Sequence, residues 1–313
     1  MIYRIPSSEG GHGESLMTAA KVLVDTDPAT GYPLADVDDG LALFYLLAYP
    51  KEFDVLGITT VYGNASLPKT TPKAEEILRV ARRTDIPVLP GAASKKQLGT
   101  DTRASRFLRE SVETQPGKVT ILALGPLTNV ASAGISDPDF YAKVERIVIM
   151  GGALEEGFGL PLISPLEFNF FKDSLAADSV LGAPCEKVVI SADLCRQAVF
   201  TRRELTSLER MGNPVATYLA YRIEPWLRLN QIMPFVPWRG GFVPWDVVAA
   251  VYLRRPELFN EIEERGMRLR QGRFTTGALE PDPCRDDRPT RVPRRQEPTA
   301  MLEDFLASIK EFT

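Results

Sequence analysis

The sequence predicts an α/β fold, an open and mostly parallel sheet with helices on both faces and an added C-terminal helical part. Three observations carry this. Short aliphatic and β-branched runs recur along the chain: "KVLVD" at 21–25, "DVLGITTV" at 54–61, "IPVLPG" at 86–91, "KVTILALG" at 118–125, "RIVIMGG" at 146–152 and "KVVISADL" at 187–194. Runs this apolar suit strands covered on both faces, as parallel strands are. Amphipathic segments lie between them, which is the alternation of a Rossmann-like sheet. From about residue 201 the pattern turns mainly helical.

The elements follow in chain order. The leader at 1–20 holds the single histidine, His12, in a Gly/Ser-rich stretch without the continuous apolar core of a signal peptide, and is expected to be flexible. Residues 21–313 are expected to form one domain. The first strand runs into "DDGLALFYLLA", where Leu41, Phe44, Tyr45 and Ala48 share one helical face. A second helix is expected over "PKAEEILRVARR" at 72–83. Past residue 201, "TRRELTSLERMG", "PVATYLAYRIEPWLRL" and "WDVVAAVYLRRP" read as helices flanking the same sheet. "CRDDRPTRVPRR" at 284–295 reads as a solvated loop, and "TAMLEDFLASIKEF" at 299–312 as a closing amphipathic helix.

Composition excludes several classes. The 37 Lys and Arg are outweighed by 41 Asp and Glu, so there is no basic footprint for nucleic acid. No apolar run approaches the ~18 residues of a membrane span. Cys185, Cys195 and Cys284 lack metal-ligand spacing and suggest no disulfide framework, which points to reduced thiols and a cytoplasmic location. A mechanism that needs a histidine has only His12 to draw on.

Acidic residues concentrate at one junction. Asp25, Asp27, Asp36, Asp38 and Asp39 occupy fifteen positions where the first strand meets the first helix. Like charges this close repel, and they need a cation or a reacting proton as balance. Oxygen ligands without histidine or cysteine suit Ca²⁺ or Mg²⁺, and Ca²⁺ takes the larger, more irregular set. The plainer alternative is that Asp38 and Asp39 only complement a helix dipole. More polar residues fall at strand ends, where open α/β sheets bind ligands: Asn64, Gly125, Asn129, Gly151 and Gly152.

Taken together, "DTDP…DDGLAL", "TTVYGN" at 59–64, "ILALGPLTNVA" at 121–131, "IVIMGG" at 147–152, "EFNFFKDSLAA" at 167–177 and "WDVVAAVYL" at 245–253 resemble the motifs of the inosine–uridine-preferring nucleoside hydrolase family. Order and spacing match from about residue 21 to the C-terminus. The resemblance implies Ca²⁺-dependent hydrolysis of the N-glycosidic bond of a ribonucleoside or related ribosyl compound. It implies Asp27 as ion ligand and as the base that activates water, with Asp39, Asp246 and the Leu124 carbonyl as further ligands. Asp38, Asn64, Glu167 and Asn169 then hold sugar hydroxyls or support the ion-binding loop. A small-molecule substrate and a homo-oligomer, dimer or tetramer, are implied too. Each residue also has a plainer role: Asn64 in a turn, Glu167 and Asn169 alternating along a solvent-facing strand, Asp246 as a helix cap.

The chain departs from the family pattern in three places. Members that act well on purine nucleosides carry a histidine before the late aspartate, where Trp245 stands here; an indole delivers no proton at neutral pH and serves only to stack or to shape the pocket. The family's asparagine before Glu-Phe-Asn is missing from "GLPLISPLEFN". Nine residues, "ATGYPLADV" at 29–37, join Asp-Pro to Asp-Asp where the family uses two. This insertion is expected to cover the pocket, to supply Tyr32 as a substitute acid, or to bulge at the surface. Tyr221, Trp226, Phe235 and Trp238 belong to the region that lines the base pocket in the family, which favours an aromatic or conjugated leaving group. Two alternatives stand beside this: a scaffold recruited to another reaction on a non-nucleoside substrate in a biosynthetic pathway, and a non-catalytic binding protein.

Overall fold

The computed structural model describes residues 19–155, 166–233, 238, 240–270 and 276–313. Most of the leader with His12, the apolar 159–165 stretch and Phe235 lie outside the described residues. Among the described residues eight strands form the central sheet. The first six are β1 (Ala20–Thr26), β2 (Phe53–Thr60), β3 (Val88–Pro90), β4 (Val119–Ala123), β5 (Arg146–Met150) and β6 (Glu186–Ile190). They are parallel and lie in the order β3-β2-β1-β4-β5-β6. The winding therefore changes direction at β1, between β2 and β4, which opens a crevice beyond the carboxyl ends of these strands.

Successive strand residues enter two different cores, as a pleated sheet covered on both faces demands. Val22 and Val24 face one core and Leu23 the other; Leu122 opposes Ile121 and Ala123 in the same way. The first core takes α1 (Asp38–Leu47), α2 (Leu67–Val80) and the Pro214–Ile232, Trp245–Arg254 and Pro298–Ile309 helices. The second takes the Arg103–Thr114 and Thr128–Ser136 helices. The late helices thus share a core with the sheet. All ten residues of α1 are buried, so its apolar face extends around the helix and its first turn carries two carboxylates out of water.

Two expectations need correction. The second helix begins at Leu67, not Pro72; Ser66 is extended and Pro68 sits in the first turn, where a missing N–H costs nothing, and Pro72 lies inside the helix. The 284–295 stretch is not simply a solvated loop. Thr290–Gln296 is a strand, parallel to β6 through Thr290 and Arg291 and antiparallel to the edge strand Phe259–Arg265. Its arginines hide the pattern: Thr290, Val292 and Gln296 are buried, while Arg291, Arg294 and Arg295 turn outward onto Glu264, Glu263 and Glu261 of the neighbouring strand. No helix of the described residues is long and apolar enough to cross a membrane.

Helix α1 and the Trp245–Arg254 helix pack side by side, and both are tied to Asp304. The Tyr45 hydroxyl donates to Asp304 Oδ2 at 2.5 Å, and Arg254 and Arg255 donate to Oδ1 at 3.0 and 2.7 Å. Asp304→Ala leaves the buried Tyr45 hydroxyl and the partly exposed Arg254 and Arg255 without their shared acceptor. It is expected to lower the unfolding free energy by about 2 kcal/mol, read from urea denaturation.

Candidate active site

The end of β1 delivers Asp25 and Asp27 to the crevice. Asp25 Oδ1 accepts from Thr59 Oγ1 at 2.6 Å and Asn129 Nδ2 at 2.8 Å, which anchors the strand end to β2 and to the first turn of the Thr128–Ser136 helix. The first turn of α1 brings Asp39 alongside. Its Oδ1 accepts from the Asp27 N–H at 3.1 Å and from the Thr26 hydroxyl, and its Oδ2 accepts from Asn64 Nδ2 at 3.0 Å. The Asn64 N–H donates to Asp27 Oδ2. Asn64 is therefore the bridge between Asp27 and Asp39, not merely a turn residue. From the far end of the chain, the Asp246 N–H donates to Asp38 Oδ2 at 3.2 Å. Asp38, Asp39 and Asp246 present carboxylate oxygens within 4.8 Å of one another, and Asp27 joins this trio through Asp39 and Asn64.

All five of these aspartates are buried. Burial pushes Asp25 up to about 7 despite its two hydrogen bonds. It pushes Asp27 well above the carboxylate range, helped by the charge of Asp39 and opposed by the Asn64 N–H. Asp38 and Asp246 are raised by burial first and then by their acidic neighbours. Asp25 Oδ2, Asp27 Oδ1 and Asp38 Oδ1 are buried and accept a hydrogen bond from no described residue. A buried acceptor left idle costs about 1–3 kcal/mol. The positive ends of two helix dipoles ease the carboxylate charge only in part; oxygen-only donors, idle lone pairs and the remaining mutual repulsion are what a hard divalent cation satisfies. The residues fit Ca²⁺.

Two glycines let the backbone close on Asp27. A Cβ on Gly63 would lie 1.8 Å from Asp27 Oδ2, and one on Gly125 2.8 Å from Oδ1. Gly63→Ala must displace the carboxylate, and it is expected to lower kcat by about 100-fold, on the scale of a misplaced reacting group, in steady-state assays. In the sequence Gly63 and Thr26 signal these roles only by adjacency, the glycine before Asn64 and the threonine between two aspartates.

Glu167 and Asn169 are buried, one as the cap and the other in the first turn of a short helix, not alternating on a solvent-facing strand. Glu167 caps the Phe168–Lys172 helix, accepting from the N–H groups of Asn169 at 2.7 Å, Phe170 at 2.8 Å and Gly152 at 2.9 Å. Asn169 Nδ2 donates to the Leu124 carbonyl at 2.9 Å and to that of Met150 at 3.1 Å. Both residues brace the ends of β4 and β5, and the Leu124 carbonyl keeps one lone pair to offer.

Trp245 is buried as the first residue of its helix and meets Trp238 edge-on, with ring centroids 5.3 Å apart. Asp246 occupies the second position and Pro244 the cap, so Asp246 is not the cap itself. The insertion is closed at its base, where Thr30 Oγ1 donates to the Val37 carbonyl at 3.1 Å. The Tyr32 hydroxyl donates to the Lys69 carbonyl at 3.4 Å, on α2. Tyr32, Tyr221 and Trp226 line one pocket of about 310 Å³ between the insertion and the Pro214–Ile232 helix; Trp238 does not line it.

A parallel α/β sheet with a buried carboxylate cluster at its carboxyl edge defines an α/β protein whose candidate site is built from oxygen donors. Residues 22–301 match the model of the inosine-uridine preferring nucleoside hydrolase family, and the chain belongs to that family. It is 34% identical over 275 residues to uridine nucleosidase 1 of Arabidopsis thaliana, covering 79% of this chain and 75% of that one. It is 31% identical over 291 residues to the pyrimidine-specific ribonucleoside hydrolase RihA of Escherichia coli K12, covering 83% and 87%. A plant nucleoside hydrolase structure superposes with a TM-score of 0.81 at 26% identity, over 93% of this chain and 99% of that one. The chain is thus an N-glycosyl hydrolase.

Proposed function

We propose that this chain hydrolyses the N-glycosidic bond of a ribonucleoside in a Ca²⁺-dependent reaction, with a pyrimidine or other base that leaves without protonation. The observation that carries this is the set of idle buried oxygens on Asp27 and Asp38 beside the Asp38, Asp39 and Asp246 trio. Asp27, Asp39, Asp246 and the Leu124 carbonyl would hold the cation, with Asp38 beside them; when bound it lowers the pKa of a water and neutralises the cluster. Asp27 Oδ1, which accepts a hydrogen bond from no described residue, takes the proton of the attacking water. The idle Asp38 Oδ1 accepts from a sugar hydroxyl. Asn64 keeps Asp27 and Asp39 aligned, and Glu167 and Asn169 brace the floor. The surrounding carboxylates stabilise the oxocarbenium-like charge on the sugar.

Trp245 gives the leaving base a π-face and no proton. Uracil departs as a stabilised anion, and the named uridine and pyrimidine specificity of the two relatives supports the same choice. With Ca²⁺ present, uridine and nitrophenyl riboside are expected to release ribose at least about tenfold faster than inosine, one pH-independent decade being a modest share of what general acids supply. Release from none of the three sinks the hydrolase reading, and fastest release from inosine sinks the leaving-group argument. The reading includes a cytoplasmic homo-oligomer, dimer or tetramer, which sedimentation and cell fractionation test.

A further inference from the structure

The insertion at 29–37 is anchored more firmly than a surface bulge requires. On one side Tyr32 lies against α2, with Lys73 Nζ 4.8 Å and Lys69 Nζ 5.6 Å from its ring centroid. On the other, Gly31, at φ +85°, presses against Arg222; a Cβ there would lie 2.4 Å from Arg222 Cδ. Both contacts lead to one carboxylate. Lys73 Nζ is 2.6 Å from Glu76 Oε2, and Arg222 Nη2 is 3.0 Å from Oε1, which also accepts from the Tyr218 hydroxyl at 2.8 Å. Lys73 is buried, so its ammonium depends on this partner. Burial alone would raise the Glu76 carboxyl, but hydrogen bonds from Lys73 and Tyr218 and the charges of Lys73 and Arg222 hold it below its ordinary value.

The same loop reaches the carboxylate cluster. Thr30 packs on Gly40, where a Cβ would lie 2.3 Å from its Oγ1, in the first turn of α1. Val37 immediately precedes Asp38 and lines the pocket shared with Tyr32 and Trp226. Arg222 Nε and Trp226 Nε1 are buried there with no described acceptor.

We infer that Glu76 is a positioning residue for substrate binding: through Lys73 and Arg222 it holds the inserted loop and the Pro214–Ile232 helix as one preformed wall beside the carboxylate cluster. This rests on the hydrolase reading above. A wall built in advance spares the substrate the ordering of nine residues and a helix, so its loss appears in KM. The chemistry itself hangs on β1, Asn64 and the start of α1, and kcat stays.

The test is uridine hydrolysis by the full chain with saturating Ca²⁺. Glu76→Gln is expected to raise KM at least tenfold with kcat within twofold, to leave Ca²⁺ affinity by calorimetric titration within threefold, and to speed chymotryptic cleavage of the loop after the exposed Leu34. Glu76→Asp should recover part of the KM. Tyr32→Ala, a half-exposed change that spares folding if Glu76→Gln does not, should raise KM alike, and the double variant should add little. An unchanged KM, or a fall in kcat alone, overturns the inference. Absence of turnover in the unsubstituted chain overturns the hydrolase reading instead, and the inference with it.

Discussion

Asp27→Asn is expected to lower kcat on uridine by about 10³–10⁴-fold, the upper part of the range for loss of a positioned general base. The amide keeps an oxygen to accept the Asn64 N–H, so Asn64 and Asp39 retain their places, but it takes no proton from water. The same change should raise thermal stability in the absence of Ca²⁺. Asp27 is buried and pushed up first by desolvation and then by the charge of Asp39, so a neutral isostere removes a repulsion that folding must oppose. Single-turnover rates and melting temperatures in a chelator measure the two effects. A kcat within tenfold of the unsubstituted chain would falsify the assignment of Asp27 as base.

Removing Ca²⁺ with a chelator is expected to abolish turnover and to destabilise the chain more at pH 8 than at pH 5. The sign follows from the raised carboxyl groups. Asp25 titrates at about 7 in the folded chain against 3.8 as its ordinary value, and Asp27, Asp38 and Asp246 are shifted the same way. Between these values the folded state binds more protons than the unfolded one. Stability from these groups is therefore fully present below pH ~4 and drains away as pH rises through their raised folded values, about 7 for Asp25, by up to about 1.4 kcal/mol per group and pH unit. Acidic unfolding driven by the paired surface carboxylates, such as Asp101 and Glu224, acts in the opposite sense below pH ~4. Ca²⁺ displaces the retained protons, so its affinity rises with pH and it should flatten the profile. Calorimetric melting at the two pH values, with and without millimolar Ca²⁺, makes the comparison. Equal melting temperatures in all four conditions would sink the cation site.

Much of the fold was legible because it is local. The six apolar runs lack the alternation of half-wet strands, and each became one of β1 to β6. The arginine-rich run near the C-terminus escaped because its charges are neutralised only by glutamates on a neighbouring strand, and pairing of that kind has no signature in a single segment. The candidate site divides along the same line. Five aspartates at a strand end already require a counter-charge, whatever the fold. That Asn64 spans Asp27 and Asp39, that Asp246 arrives beside Asp38 from 208 positions away, and that Gly63 clears space for a carboxylate follow only from contact geometry.

The insertion shows the division most sharply. Its glycine, proline and tyrosine announce a turn, and its position between two acidic pairs announces that it matters. Read alone it is as readily a surface bulge as either a lid or a source of acid. Its anchoring depends on Glu76 meeting Tyr218 and Arg222, residues 142 and 146 positions further along. Composition and motif order by themselves determined the α/β class, the family and the acidic chemistry, since periodicity and charge density are properties of short segments. Tertiary structure alone decided which carboxylates share an oxygen cluster, which keep an idle lone pair and what holds the loop in place, because burial and hydrogen bonding exist only between segments that folding brings together.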